Sequence, residues 1–177
     1  RGIAYGLKGE LDRAIADFNE ATKLDGKHAL AFYNRGIAYR LKGDIDRAIA
    51  DYSEAVKLDA KFALGFYQRG NAYYEKRDFD RAIADFGEAT RYNPNFDLAF
   101  YHRGLSHRDK RDYDRAINDF SQAIRLDGRN AAAFDSRGIA YRMKGDLERA
   151  IADFEQATRL DVKSSAALNN RGTGYGM

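Results

Sequence analysis

The chain has 177 residues, 30 Lys+Arg against 27 Asp+Glu, and a net charge of +3, so it is no polycation; with 44% hydrophobic residues, 12 Tyr and 11 Phe it is no disordered chain either. The absence of cysteine removes disulfide frameworks, thiolate nucleophiles and Cys-containing zinc sites. Apolar runs stay far below the ~20 residues of a bilayer span and no basic-then-apolar leader opens the sequence, so a soluble segment without membrane insertion is expected, in cytoplasm or periplasm.

Arg-Gly recurs at Arg1-Gly2, Arg35-Gly36, Arg69-Gly70, Arg103-Gly104, Arg137-Gly138 and Arg171-Gly172, always 34 residues apart. Ala14, Ala48, Ala82, Ala116 and Ala150 keep the same interval, as do Ala21, Ala55, Ala89, Ala123 and Ala157. Each unit therefore solves the same packing problem. In chain order, 1–28 is a repeat lacking most of its first helix, 29–62, 63–96, 97–130 and 131–164 are full repeats, and 165–177 is a trailing first helix. Because the chain starts at Arg1 and inside a repeat, it reads as one repeat domain from a longer protein.

Within 29–62, Phe32, Gly36 and Tyr39, then Tyr52, Ala55 and Val56, fall at helical spacing in two blocks. Between the blocks, Lys42-Gly43-Asp44 supplies a left-handed helix stop and a carboxylate to cap the next helix, which is predicted to end near Leu58-Asp59. No period-two alternation predicts a strand. Gly36 and Ala48 leave room for close helix approach beside Phe32, Tyr39 and Tyr52, and a lone helix pair cannot cover its own apolar face, so the pairs must stack.

The pattern Phe32-x2-Arg35-Gly36-x2-Tyr39, then Ala48-x3-Tyr52, resembles the tetratricopeptide repeat over the whole chain. The resemblance implies an all-α, right-handed superhelical solenoid of antiparallel helix pairs. Three departures stand out: Arg in place of the usual Leu before every Gly, His107 in a Tyr column, and the usual late Pro surviving only as Pro94, with Gly26, Ala60, Gly128 and Val162 elsewhere. The repeated Arg asks for a partner, and the column Asp17, Asp51, Asp85, Asp119 and Asp153 is the expected one.

Catalytic signals are weak. His102 and His107 lie about 140° apart on one helix, and no His-Glu-x-x-His or phosphate-binding glycine loop occurs. The pairs Asp44/Asp46, Asp78/Asp80 and Asp112/Asp114 recur at every turn between helices, which points to capping rather than acid-base work. Gly172-Thr173-Gly174-Tyr175-Gly176 reads as a fraying terminus. Basic residues interleaved with tyrosines could contact nucleic acid, but acids within each repeat match them and weigh against it. No enzyme activity, metal or cofactor is expected.

The resemblance places first helices on the concave face of the superhelix. The inward positions are then Leu30, Tyr33, Asn34, Ile37, Arg40 and Leu41; Leu64, Tyr67, Gln68, Asn71, Tyr74 and Glu75; Leu98, Tyr101, His102, Leu105, Arg108 and Asp109; and Ala132, Asp135, Ser136, Ile139, Arg142 and Met143. They vary between repeats while the packing columns do not. Leu, Tyr and Arg there suit a groove for a protein or peptide with apolar and aromatic anchors, with an acidic residue near Arg40, Arg108 or Arg142. A family branch that clamps chaperone tails with Lys, Asn and Arg is matched only at Asn71. The alternative is a module that stacks end to end into homo-oligomers through its terminal repeats.

Overall fold

The computed structural model describes residues 2–161. Among the described residues there are ten α-helices and no strand: α1 (Gly2–Leu7), α2 (Leu11–Leu24), α3 (Ala29–Leu41), α4 (Ile45–Leu58), α5 (Ala63–Glu75), α6 (Phe79–Tyr92), α7 (Asp97–Asp109), α8 (Tyr113–Leu126), α9 (Ala131–Met143) and α10 (Leu147–Leu160). The helix expected at 165–177 and the first and last Arg-Gly pairs' arginines, Arg1 and Arg171, lie outside the described residues. Two compact units divide the chain after residue 94. In the first, α1 packs on α2, α3 on α4 and α5 on α6, with α2 against α3 and α4 against α5 joining the pairs. In the second, α7 packs on α8 and α9 on α10, joined by α8 against α9.

The turns within pairs show why the helices break where they do. Gly9, Gly43 and Gly145 have φ of +76°, +81° and +83°, the left-handed conformation that closes a helix. In two repeats an arginine takes that position, Arg77 at φ 60° and Arg111 at φ 63°, so the stop does not depend on glycine. The following Asp restarts the chain. Carboxylates of Asp44, Asp78, Asp112 and Asp146 each accept the backbone N–H three residues on. Glu10, one methylene longer, makes no such cap and pairs with Arg13 instead.

Inside each pair, an aromatic ring from the second helix lies against the bare backbone of the first. A Cβ placed on Gly36, Gly70, Gly104 or Gly138 would come within 2.7, 2.8, 2.7 and 2.6 Å of Tyr52, Phe86, Phe120 and Phe154 respectively. Those four rings are fully buried, as are Ala48, Ala82, Ala116 and Ala150 beside them. Burial of each ring contributes about 1.5–3 kcal/mol.

The arginine that precedes each of these glycines meets the expected acid. Arg35 donates Nε and Nη2 to the two carboxylate oxygens of Asp51 (2.8 and 2.6 Å), Arg69 to Asp85 (2.7 and 2.8 Å), Arg103 to Asp119 (2.9 and 2.6 Å) and Arg137 to Asp153 (2.7 and 2.7 Å). These aspartates are buried, so the pairs are interior forks. The third guanidinium nitrogen reaches the preceding repeat: Arg35 Nη1 donates to Asn19 Oδ1 and Thr22 Oγ1, Arg69 Nη1 to Ser53 Oγ and Arg137 Nη1 to Ser121 Oγ. Phe32, Phe66, Phe100 and Phe134 place their rings 5.3–5.6 Å from the guanidinium carbons. One side chain thus joins three helices. The hydrogen bond to the partner carboxylate raises the pKa of Arg35, Arg69 and Arg137, while burial pushes the Asp85 carboxyl up against the pull of Arg69.

Two stability outcomes follow from these contacts. Gly70→Ala, normally favourable in a helix, is expected to cost about 1–3 kcal/mol by urea denaturation, because Phe86 leaves no room for a methyl group. Arg69→Leu leaves Asp85 buried and unpaired and is expected to cost about 3 kcal/mol at neutral pH. Its deficit should narrow in acid as Asp85 takes up a proton, and Arg69→Leu/Asp85→Ala should be less unstable than the single variant.

Candidate functional site

Each unit presents the first helices of two full repeats, α3 and α5 in the first and α7 and α9 in the second. At the start of three of these helices Leu30, Leu64 and Leu98 are 53%, 48% and 43% exposed. Further along, Leu41, Glu75, Asp109 and Met143 are also exposed, as is Ala132. Tyr33, Asn34, Ile37, Arg40, Gln68, Asn71, Tyr74, Tyr101, His102, Leu105, Arg108, Asp135, Ile139 and Arg142 are half-buried. Tyr67 and Ser136 are buried, Tyr67 with its ring centroid 5.8 Å from that of Phe86.

In the first unit, α3 and α5 bring four of these residues together, Tyr33 with Gln68 and Arg40 with Glu75. Tyr33 packs edge-on against Phe62 at 5.0 Å and is hydrogen-bonded to the Gln68 side chain, while burial pushes its hydroxyl pKa up. Arg40 Nη1 donates to Glu75 Oε1 at 2.8 Å, bridging the two helices. Beneath that ion pair lies Tyr52, a residue of α4 that the sequence reading assigned to the core alone. Its column is otherwise Phe18, Phe86, Phe120 and Phe154. The added hydroxyl sits beside the Arg40 guanidinium without a well-formed hydrogen bond, and burial drives its pKa far upward. Tyr52 OH, Arg40 Nε and Gln68 Oε1 are all buried without a partner. The one Tyr among phenylalanines was the available sequence signal.

In the second unit the corresponding charges pair differently: Arg108 Nε and Nη2 both donate to Asp109 Oδ1, at 3.0 and 2.9 Å. The Arg142 guanidinium carbon lies 6.0 Å from the centroid of the Phe154 ring. Tyr101 packs against Phe120 and edge-on against His102, whose Nδ1 lies 2.9 Å from the Leu98 carbonyl oxygen.

His107 occupies the slot that Tyr39, Tyr73 and Tyr141 fill in the other repeats. Those rings each carry an arginine 4.4–4.5 Å from the centroid, Arg47, Arg81 and Arg149. The His107 imidazole is buried with Nε2 3.8 Å from Asp119 Oδ2, close to Arg103 and Arg115 as well. Among the described residues no group of three or more His, Asp or Glu is arranged to hold a metal. No described helix is long and apolar enough to cross a membrane.

Sequence profiles of the TPR repeat match residues 2–40 and 38–77, and profiles of the tetratricopeptide repeat match 63–96 and 101–165. The chain belongs to the tetratricopeptide repeat family. The TPR fold is shared with solved structures. A crystal structure of MamA is 26% identical, with a TM-score of 0.87 over 92% of this chain and 95% of that one. YrrB, a TPR protein described as having an unusual peptide-binding site, is 23% identical with a TM-score of 0.85 over 97% and 88%. A tetratricopeptide repeat protein from Parabacteroides merdae ATCC 43184 is 20% identical with a TM-score of 0.86 over 99% and 70%. No curated protein matches the sequence closely. Family and fold together support a protein-interaction scaffold.

The TPR histidine makes a pH dependence testable. Burial holds the His107 imidazole below its ordinary pKa of 6.5, and burial shifts His102 the same way. The neutral rings are therefore the native forms: their contribution to stability is complete above about pH 6.5 and is lost as pH falls through the lowered native values. His107→Tyr should give thermal melts, followed by circular dichroism, that decline less steeply in acid than wild type, with a residual slope from His102.

Proposed function

We propose that this TPR chain is a non-enzymatic scaffold that holds an extended or helical polypeptide segment against the exposed faces of its first helices. The observation that carries this reading is the recurrence of exposed leucines, Leu30, Leu64 and Leu98, at one repeat position in a protein whose equivalent core positions are fully buried. Within the first unit, Leu30 and Leu64, left in water one repeat apart on helices that also carry the half-buried Tyr33, are the kind of apolar surface that marks interaction sites. The second unit carries the same pair of residue types at Leu98 and Tyr101. Tyr and Arg are also the residues that most often dominate interface energies. The charges contribute less than the apolar residues. Arg40 and Arg108 are matched by Glu75 and Asp109 of the chain itself, so an acidic ligand group has to compete with an internal carboxylate. The peptide-binding site ascribed to the TPR protein YrrB supports the same use of the fold.

The experiment is selection of a displayed random peptide library on the immobilised chain, followed by affinity measurement with the selected synthetic peptides. Leu30→Ser/Leu64→Ser is expected to weaken binding about tenfold or more while the melting temperature stays near wild type, since both side chains are already exposed. Peptides bound equally well by this variant would overturn the proposal. So would a particle mass that rises with protein concentration while no peptide is selected, which would identify self-assembly as the use of this surface.

A further inference from the structure

The first unit contains the same slot twice, once closed and once open. Between α3 and α5 it is closed by Arg40, which reaches across to Glu75 above Tyr52 and Gln68; the atoms beneath are sealed from solvent. One repeat earlier the equivalent residues are Gly6 for Arg40, Leu41 for Glu75, Phe18 for Tyr52 and Asn34 for Gln68. Both charges are gone, Glu75 giving way to the hydrocarbon of Leu41 and Arg40, the side chain that plugs the slot, to the bare Gly6, while an amide stays an amide at Asn34. A Cβ built on Gly6 would meet nothing within 4 Å. A concavity of about 230 Å³ results, lined by Ile3, Leu11, Phe18, Ile37 and Leu41, with Asn34 as its polar member. Ile3 and Leu41 at its rim are 58% and 60% exposed.

We infer that this slot seats one large apolar side chain of a bound polypeptide. Its size decides against a whole cofactor or drug-sized ligand, whose sites run to about 300–1,000 Å³. The closed slot shows what fits: a single long side chain arriving from one side. The lining decides the chemistry, because Leu41 offers nothing to a charge of the kind that Glu75 satisfies in the closed slot, and Phe18 adds only hydrocarbon. Asn34 decides for a polypeptide over a lipid tail. Its Nδ2 donates to the Leu30 carbonyl oxygen at 2.8 Å, leaving Oδ1 to accept a backbone N–H alongside the seated residue.

This assignment rests on the polypeptide-binding reading above, and the test separates the two. N-acetyl-leucinamide is titrated into methyl-labelled protein, with N-acetyl-alaninamide as control and Gly6→Leu as the filled-slot variant. Because Gly6 faces open space, that variant should melt at or above the wild-type temperature. Saturable shifts of the Ile37 and Leu41 methyls are expected with leucinamide, about 10- to 50-fold weaker with alaninamide and lost in Gly6→Leu. Shifts spread evenly over Leu30, Leu64 and Leu98, or unchanged in Gly6→Leu, would overturn the slot. A dimer that Gly6→Leu abolishes would assign it to a second copy instead. Library-selected peptides that lose affinity with Leu30→Ser/Leu64→Ser but not with Gly6→Leu would sink this inference alone; peptides indifferent to both would sink the functional reading as well.

Discussion

Each helix pair depends on a ring lying where a methyl group cannot. Tyr52, Phe86, Phe120 and Phe154 rest on the backbone of Gly36, Gly70, Gly104 and Gly138 at distances that only a hydrogen atom on the glycine allows. That contact sets how close the two helices come, and the buried alanine columns beside it fit the same spacing. In the first unit the Tyr52 ring is fully buried, yet its hydroxyl lies beside Arg40, which bridges α3 to Glu75 of α5. Core packing and surface chemistry are thereby coupled through one residue, and at Tyr52 the coupling becomes chemical.

Pairs are tied to one another by a charged group rather than by more hydrocarbon. The arginine before each glycine satisfies a buried aspartate with two parallel hydrogen bonds and, at Arg35, Arg69 and Arg137, spends its remaining nitrogen on a side chain of the preceding repeat. A leucine there could fill space against one neighbour. The planar fork instead demands a defined geometry from three helices at once. Such a tie constrains register between repeats within each unit, at the risk that loss of one partner leaves a buried charge.

With packing and register fixed by repeated columns, the exposed face is free to differ from repeat to repeat. The contrast between the slot plugged by Arg40 and the one opened by Gly6 shows how much a single position matters. The same backbone gives a sealed ion pair in one place and an apolar concavity in the other. Interaction chemistry in this fold is written in the side chains that the packing does not need.

The helices, their pairing and the core were legible in residue order, because a period of 34 residues repeats the same small and aromatic positions and helical packing depends on those local choices. Residue order also indicated the Arg–Asp ties, since both columns recur in step, and it placed the capping aspartates. Tertiary structure alone decided what lies on the exposed face. The Tyr52 hydroxyl beneath Arg40 and the burial of Tyr67 and Ser136 follow from which neighbour each side chain meets across helices. The open slot at Gly6 has the same origin: an isolated glycine means nothing until the residues around it, from three helices, fail to fill the space it leaves.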